Sequence, residues 1–228
     1  MASPQLIKPI VERPANLTDM VLEAIQNAII DKSVAPGSHI SEASMAAALE
    51  VSKTPVREAL LRLRHIGLVV PAERGMRVVT PSPELIRNAY ELRAGVERSA
   101  AQLAAERASE DQLAIVEAAA QDSLERAKAK DSEGFRACDA EFHAHIAAAC
   151  RNDLLAGAVS DTLILTRALR ARDVRTTGDS VVCGQEHIAI SEALRRRDGE
   201  TAGRRAQAHI THVMTMVLAA YADAAEGN

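Results

Sequence analysis

The sequence predicts a mainly α protein with two domains, a small one of three helices and a β-hairpin followed by an antiparallel all-α bundle. Composition favours helix, since 47% of residues are hydrophobic but only 2% are aromatic, with Ala and Leu dominating. Short elements with frequent turns fill the first 80 residues, and long helical patterns follow. Pro81 and Pro83 lie between the two patterns and favour an extended connector. The predicted parts are a flexible arm at 1–15, a first domain at 16–80, a linker at 81–83 and a helical domain at 84–228.

Three helices and a hairpin are predicted in the N-terminal domain, in that order. Each helix follows a polar residue that can cap its first turn: Thr18, Ser41, and Ser52 or Thr54. Pro55 falls in the first turn of the third helix, where its missing N–H costs nothing, and Gly67 can end that helix. Strands at 68–70 and 77–79 flank a polar turn at 72–75. This order of elements is that of a winged helix-turn-helix domain.

The third helix has a basic face. Three of its cations are spaced i, i+4 and i+11, within about 40° of one another and opposite the apolar stripe: Lys53, Arg57 and Arg64. Residues 53–77 contain six cations and two anions, although the whole chain has a net charge of −4. A basic helix is often only a solvated face, but here it follows two helices and precedes a turn with Arg74 and Gly75. Such a helix fits a major groove, and the turn can approach a phosphate or a minor groove, so we predict binding to double-stranded DNA.

Residues 40–69 resemble the DNA-reading domain of the GntR family, above all through S-K-T-P-V-R-E-A-L at 52–60. Lys53 stands where Arg is commoner, and since Lys cannot bind guanine bidentately, the base preference there differs. Glu50 stands where the family usually has Gly, which predicts a strained or altered turn. The resemblance implies that these residues contact the operator or approach its minor groove: Lys53, Thr54, Arg57 and Gly75.

Four side chains of the predicted bundle can meet in its interior. Asp139 and His143 are four residues apart and share a helix face, while His187 and His209 lie about equally far from the turn near residue 197. Three imidazoles and a carboxylate suit Zn²⁺, Ni²⁺ or Mn²⁺. A single histidine is more often an ordinary core or surface residue than a metal ligand. His212 is a candidate only for contacting the ligand His209, not for binding the metal itself.

The stretch 139–143 resembles the D-x-x-F-H motif of the FCD effector domain, which accompanies the FadR-type branch of the GntR family. Residues 90–97 resemble the opening helix of that domain, and E-H-x-x-I-x-x-A-L at 186–194 resembles a later one. The resemblance spans residues 17–222. It implies a small organic acid bound beside a divalent metal ion, with these ligands: Asp139, His143, His187 and His209.

Arginines are the candidates for the carboxylate of such an effector. Arg93 lies on the apolar stripe of its helix, where an unpaired charge would be costly. A structural ion pair with Glu97, four residues on, explains Arg93 equally well, so both interpretations stand. Arg167 and Arg170 are weaker candidates in the fourth helix of the bundle.

The sequence also bears on compartment and on catalysis. Three cysteines without paired spacing suit a reducing cytosol. The N-terminus has no apolar signal segment, and the most apolar stretch, 213–222, is too short to cross a bilayer, so we expect a cytoplasmic protein without membrane contact. H-E-x-x-H is absent and four protein ligands leave few open positions on a metal, so an enzyme is not expected, and a metal-dependent hydrolase is a remote alternative.

The sequence as a whole predicts a transcriptional regulator, commonly a repressor in this family. A homodimer would bind a palindromic operator, because a two-fold symmetric protein reads two half-sites. A small carboxylate would control DNA affinity. The alternative is a regulator that senses the metal itself, or that binds an acyl ligand without metal.

Overall fold

The computed structural model describes residues 16–170 and 178–226. The chain divides into two compact units, one of Met1–Ile29 and Ser33–Val79 and one of Ile30–Lys32 and Thr80–Asn228. The predicted arm at 1–15 lies outside the described residues. Within the described residues, the helices are too short or too polar to cross a lipid bilayer.

The first unit has the winged helix-turn-helix order. Its elements are α1 (Asn16–Ile30), β1 (His39–Ile40), α2 (Glu42–Ala48), α3 (Lys53–Ile66), β2 (Val69–Pro71) and β3 (Met76–Val78). The strands form an antiparallel sheet in the order β1-β3-β2. The β2–β3 hairpin was predicted, whereas β1 was not, because two residues are too few to show an alternating pattern.

Local chemistry sets the bounds of α2 and α3. Ser41 and Ser44 cap the start of α2 reciprocally. Gly67 ends α3 in the left-handed conformation, with a φ of 88°. Glu50, in the turn before α3, also has a positive φ, 54°. The altered turn predicted for this position is therefore present, in a conformation that glycine adopts more easily.

The described elements of the second unit are all helices. They are α4 (Pro83–Arg107), α5 (Glu110–Lys128), α6 (Ser132–Ala149), α7 (Asp153–Leu169), α8 (Gly178–Arg195) and α9 (Gly199–Glu226). Helix α7 ends at Leu169. Arg170 has a ψ of 142°, which is extended rather than helical.

Helix α4 packs against α6, α7, α8 and α9. Small side chains allow close approach to α9: a Cβ added to Gly203 would lie 2.9 Å from the carbonyl oxygen of Arg98. Alanines supply much of the core around α4, including Ala100, Ala101 and Ala104. This packing encloses Arg93 and Glu97 of α4, and it places α6, α8 and α9 around a common interior.

Candidate metal centre and DNA-binding surface

Helices α6, α8 and α9 bring the four predicted metal ligands to one point. Asp139 and His143 lie one turn apart on α6, His187 lies on α8 and His209 on α9. All four side chains are buried. One ligand atom from each lies within 4.8 Å of all the others.

The donor atoms face one another, and among the described residues the one on His143 lacks a hydrogen-bond partner. Nε2 of His187 lies 3.2 Å from Nε2 of His209, and Asp139 Oδ1 lies 3.6 Å from His187 Nε2 and 3.8 Å from His143 Nε2. Nε2 of His143 is buried and makes no hydrogen bond among the described residues. A buried polar atom without a partner is costly. A divalent cation would satisfy all four groups, so the residues present fit a metal ion.

A polar group lies at the Nδ1 side of each histidine, away from the common point. These groups are Ser123 Oγ at 2.9 Å from His187, Glu186 Oε2 at 2.7 Å from His209, and Glu97 Oε2 at 2.5 Å from His143. The Ser123 hydroxyl donates to the carbonyl oxygen of Ala120, so its oxygen accepts from Nδ1–H of His187. This contact leaves Nε2 of His187 with a free lone pair, and such outer contacts commonly orient metal-binding imidazoles.

Burial and charge set the protonation of the site. Burial lowers the pKa of His187 well below its usual range and also lowers that of His209, so both imidazoles are neutral. Burial opposes the protonation of His143 too, but the Glu97 and Asp139 carboxylates outweigh it and raise the pKa of His143. Burial likewise opposes ionisation of Asp139, yet His143, Arg170 and His187 hold its pKa well below the usual value. The site therefore presents a carboxylate beside two neutral imidazoles.

The first unit exposes the predicted DNA-contacting residues. Lys53, Thr54, Arg57 and Arg64 are exposed on α3, and Arg74 and Gly75 are exposed in the β2–β3 turn. Arg57 makes two contacts of 2.9 Å with Glu42 on α2. Gly75 has a φ of 80°, and a Cβ added there would lie 2.6 Å from the carbonyl oxygen of Ile40. This glycine therefore permits the close packing of the turn against β1.

Both units match known protein families. Residues 17–78 match the gntR family of bacterial regulatory proteins, and residues 88–212, more than half of the chain, match the FCD domain. The chain belongs to the GntR family. It is a transcriptional regulator with an FCD effector-binding domain, and its families and relatives are regulators rather than enzymes.

Relatives and solved structures agree with this assignment. The Nta operon transcriptional regulator of Aminobacter aminovorans is 30% identical over 80% of this chain and 86% of its own. The HTH-type transcriptional repressor NanR of Cronobacter sakazakii is 30% identical over 86% of this chain and 84% of its own. The structure of McbR/YncC from E. coli has the same fold, with a TM-score of 0.76 at 18% identity over 90% of this chain and 98% of that one.

Glu186 contacts the candidate metal centre of this GntR regulator, and the sequence did not single it out. Its carboxylate contacts Nδ1 of His209 at 2.7 Å and Nδ1 of His212 at 3.0 Å. Among the described residues, His212 is therefore linked to the site through Glu186. The adjacency of Glu186 to His187 was visible in the sequence, but its partners lie on another helix.

Arg93 is engaged inside the FCD domain. Its Nε donates to Glu97 Oε1 at 2.5 Å, and its Nη1 donates to Thr166 Oγ1 at 3.3 Å. The side chain is only 1% exposed. The structure thus contains the ion pair that was the alternative interpretation of Arg93, and contact of Arg93 with an effector stays a prediction.

A cavity of about 540 Å³ lies beside the candidate metal centre. Asp139 forms part of both its wall and the cluster of donor atoms. Three arginines also line it: Arg136 of α6, Arg167 of α7, and Arg170 just beyond α7. Arg170 donates to the Tyr90 hydroxyl at 3.0 Å and lies 4.0 Å from Asp139 Oδ2. The cavity therefore places the candidate effector residue Arg167 on the same wall as a candidate metal ligand.

Proposed function

We propose that this GntR regulator is a homodimeric repressor of a palindromic operator, controlled by a small organic acid bound beside a divalent metal in the FCD domain. The observation that carries the effector proposal is the convergence of four buried donor groups beside a cavity lined by arginines. NanR and RspR, two relatives, are named as repressors, which supports the direction of regulation.

The donor set supports Zn²⁺, Ni²⁺ or Mn²⁺ as the metal. Asp139, His143, His187 and His209 would hold it, and they offer three nitrogens and one carboxylate. Ser123 and Glu186 would keep two of the imidazoles oriented. A bound divalent ion would supply positive charge at the cavity wall, where a carboxylate group could bind.

Charge and position support Arg167 as a contact for the acid. The side chain lines the cavity, and its pKa is lowered first by burial and then by charge repulsion from Arg170 and Arg136. An anion relieves this repulsion and accepts charge-assisted hydrogen bonds. Acid binding can change DNA affinity only if it favours one arrangement of the two DNA-binding units of the dimer.

The first experiment measures metal content and acid binding together. Untagged protein is expected to contain about one equivalent of divalent metal, measured by elemental analysis, and the His187→Ala/His209→Ala variant little. A panel of small carboxylates is then tested for release of the metal-loaded protein from DNA selected from a random duplex library. If the wild-type protein still contained no metal after incubation with Zn²⁺, Ni²⁺ and Mn²⁺, the proposed metal centre would be refuted.

The same selected DNA tests the proposed DNA-binding face of α3. Lys53→Ala and Arg57→Ala are expected to weaken operator binding about tenfold or more each, in line with roughly 1–3 kcal/mol per specific contact. Arg62→Ala is a matched control, because Arg62 lies on the same helix but about 180° around its axis from Lys53. Like Arg57, it is exposed and paired with a carboxylate, that of Asp19 at 2.7 Å. Equal losses in all three variants would refute a specific role for this face of α3.

A second cluster of donor groups favours one competing function, direct sensing of a metal. Cys183, Glu186 and His212 each offer a ligand atom within 4.8 Å of the others. A regulator of this kind would change operator affinity on addition of metal without any acid. Titration of the metal-depleted protein with Zn²⁺ on the selected operator distinguishes the two functions.

A further inference from the structure

Within the described part of the chain, the cavity contains two arginines whose side chains have no partner. Arg170 is engaged by Tyr90 and Asp139. The side chains of Arg136 and Arg167 make no hydrogen bond or ion pair within residues 16–170 and 178–226. Both residues are exposed. Guanidinium groups on a concave wall can bind an anion without first breaking a contact within the protein.

The formal charge of the cavity wall indicates how many anionic groups it can accommodate. Among the residues that the structure describes, three arginines line the wall together with three carboxylates, those of Asp31, Glu133 and Asp139, so the formal charges of this set cancel. A divalent ion held by Asp139 would then leave an excess of two positive charges. A monocarboxylate would neutralise one of them, and a dianion would neutralise both.

The remaining wall restricts the body of the ligand. Apolar side chains of Phe135, Val213, Met216 and Val217 line the cavity. A volume of about 540 Å³ is within the range of small-molecule sites, roughly 300–1,000 Å³. These features suit a short hydrocarbon chain between two polar ends.

We propose that Arg136 and Arg167 form an anion subsite, and that the effector is a compact dianion. One carboxylate lies towards Asp139 and the candidate metal, and the second anionic group lies against Arg136 and Arg167. This inference rests on the proposed function, because the same cavity holds the effector. Guanidinium binds carboxylate and phosphate-type oxygens with the same geometry, so the second group is of either kind.

Isothermal titration of the full-length, metal-loaded protein with matched ligands tests the charge requirement. Butyrate and succinate have the same chain length and differ by one carboxylate, and 3-phosphonopropionate replaces that carboxylate with a phosphonate. Succinate or 3-phosphonopropionate is expected to bind at least about tenfold more tightly than butyrate, in keeping with a charge-assisted hydrogen bond. The tighter of the two identifies the second group.

Two variants test whether the affinity difference between the dianions and butyrate arises from Arg136 and Arg167. Arg136→Gln and Arg167→Gln are each expected to bring the ratio of dianion affinity to butyrate affinity close to one. Arg151→Gln removes an exposed arginine that does not line the cavity and should have no effect. Full metal content in each variant would exclude misfolding as the cause.

The outcomes separate this inference from the proposed function. Equal binding of butyrate and the dianions, lost in His187→Ala, would overturn the dianion proposal and leave an acid effector at the metal intact. Tight dianion binding that persists in both glutamine variants would overturn the assignment of the subsite. Absence of binding by all three ligands to metal-loaded protein would overturn both.

Discussion

Replacement of Arg93 by Met is expected to destabilise the FCD domain rather than to weaken effector binding. The Arg93–Glu97 pair is nearly completely buried, with 1% and 5% of the two side chains exposed. Removal of the guanidinium leaves Glu97 in the core with His143 as its remaining ion-pair partner. Breaking a buried ion pair by removing one partner costs about 3–5 kcal/mol, because the other charge stays buried.

The pKa of Glu97 gives a similar magnitude. Burial opposes ionisation, but Arg93 and His143 together lower this pKa from 4.5 to about 2. The difference corresponds to roughly 3 kcal/mol, which Arg93 and His143 contribute together against the cost of burial. In a domain of this size, a loss of roughly 3 kcal/mol lowers Tm by about 6–12 °C.

Thermal unfolding followed by circular dichroism measures this loss. The protein is kept free of metal by a chelator at neutral pH, so that differences in metal affinity do not contribute. Arg98→Met is the control, because Arg98 pairs with Glu200 at the surface and its loss should cost less than about 1 kcal/mol. The double variant Arg93→Met/Glu97→Met is expected to recover part of the stability, since it leaves no unpaired carboxylate.

The opposite pattern would refute this reasoning. If Arg93→Met kept the wild-type Tm but lost affinity for every carboxylate tested, Arg93 would be an effector contact. The ion pair with Glu97 would then contribute little to stability.

Three other perturbations follow from contacts in the two units. Ser123→Ala should weaken metal binding about tenfold, because it removes a group that orients the His187 imidazole. Ser191→Ala is the control, because the Ser191 hydroxyl donates to the carbonyl oxygen of Ile188. Competition with a chelator measures the metal affinity of both variants. Metal affinity should fall as pH decreases through the raised pKa of His143, because protons compete for its nitrogen; constant affinity between about pH 5 and 8 would contradict this. Gly75→Ala should weaken operator binding in a gel-shift assay, since φ is 80° and the added Cβ would lie 2.6 Å from a carbonyl oxygen; Gly95→Ala, which meets nothing within 4 Å, is the control.

The sequence predicted the helices well because their signals are local. Pro55 in the first turn of α3 and Gly67 at its end fix that helix through backbone chemistry alone. The i, i+4 spacing of Asp139 and His143 places both on one face of α6 wherever α6 packs. The two-residue strand β1 escaped prediction, because it exists only by pairing with β3.

Contacts between helices could not be predicted from such local sequence signals. Ser123 of α5 meets His187 of α8, and Glu186 meets His209 of α9, across 64 and 23 positions of sequence. Neither contact belongs to a periodic pattern on one helix. They depend on how far each helix is rotated about its axis, which is set by the packing of the whole core.

The sequence by itself determined the two-part organisation, the basic face of α3 and the identity of the four candidate ligands. Only the tertiary structure decided that Arg93 pairs with Glu97 and that Arg136 and Arg167 face one cavity. The reason is geometric. The repeat of 3.6 residues per turn fixes which residues share a helix face, but not which other helix that face meets.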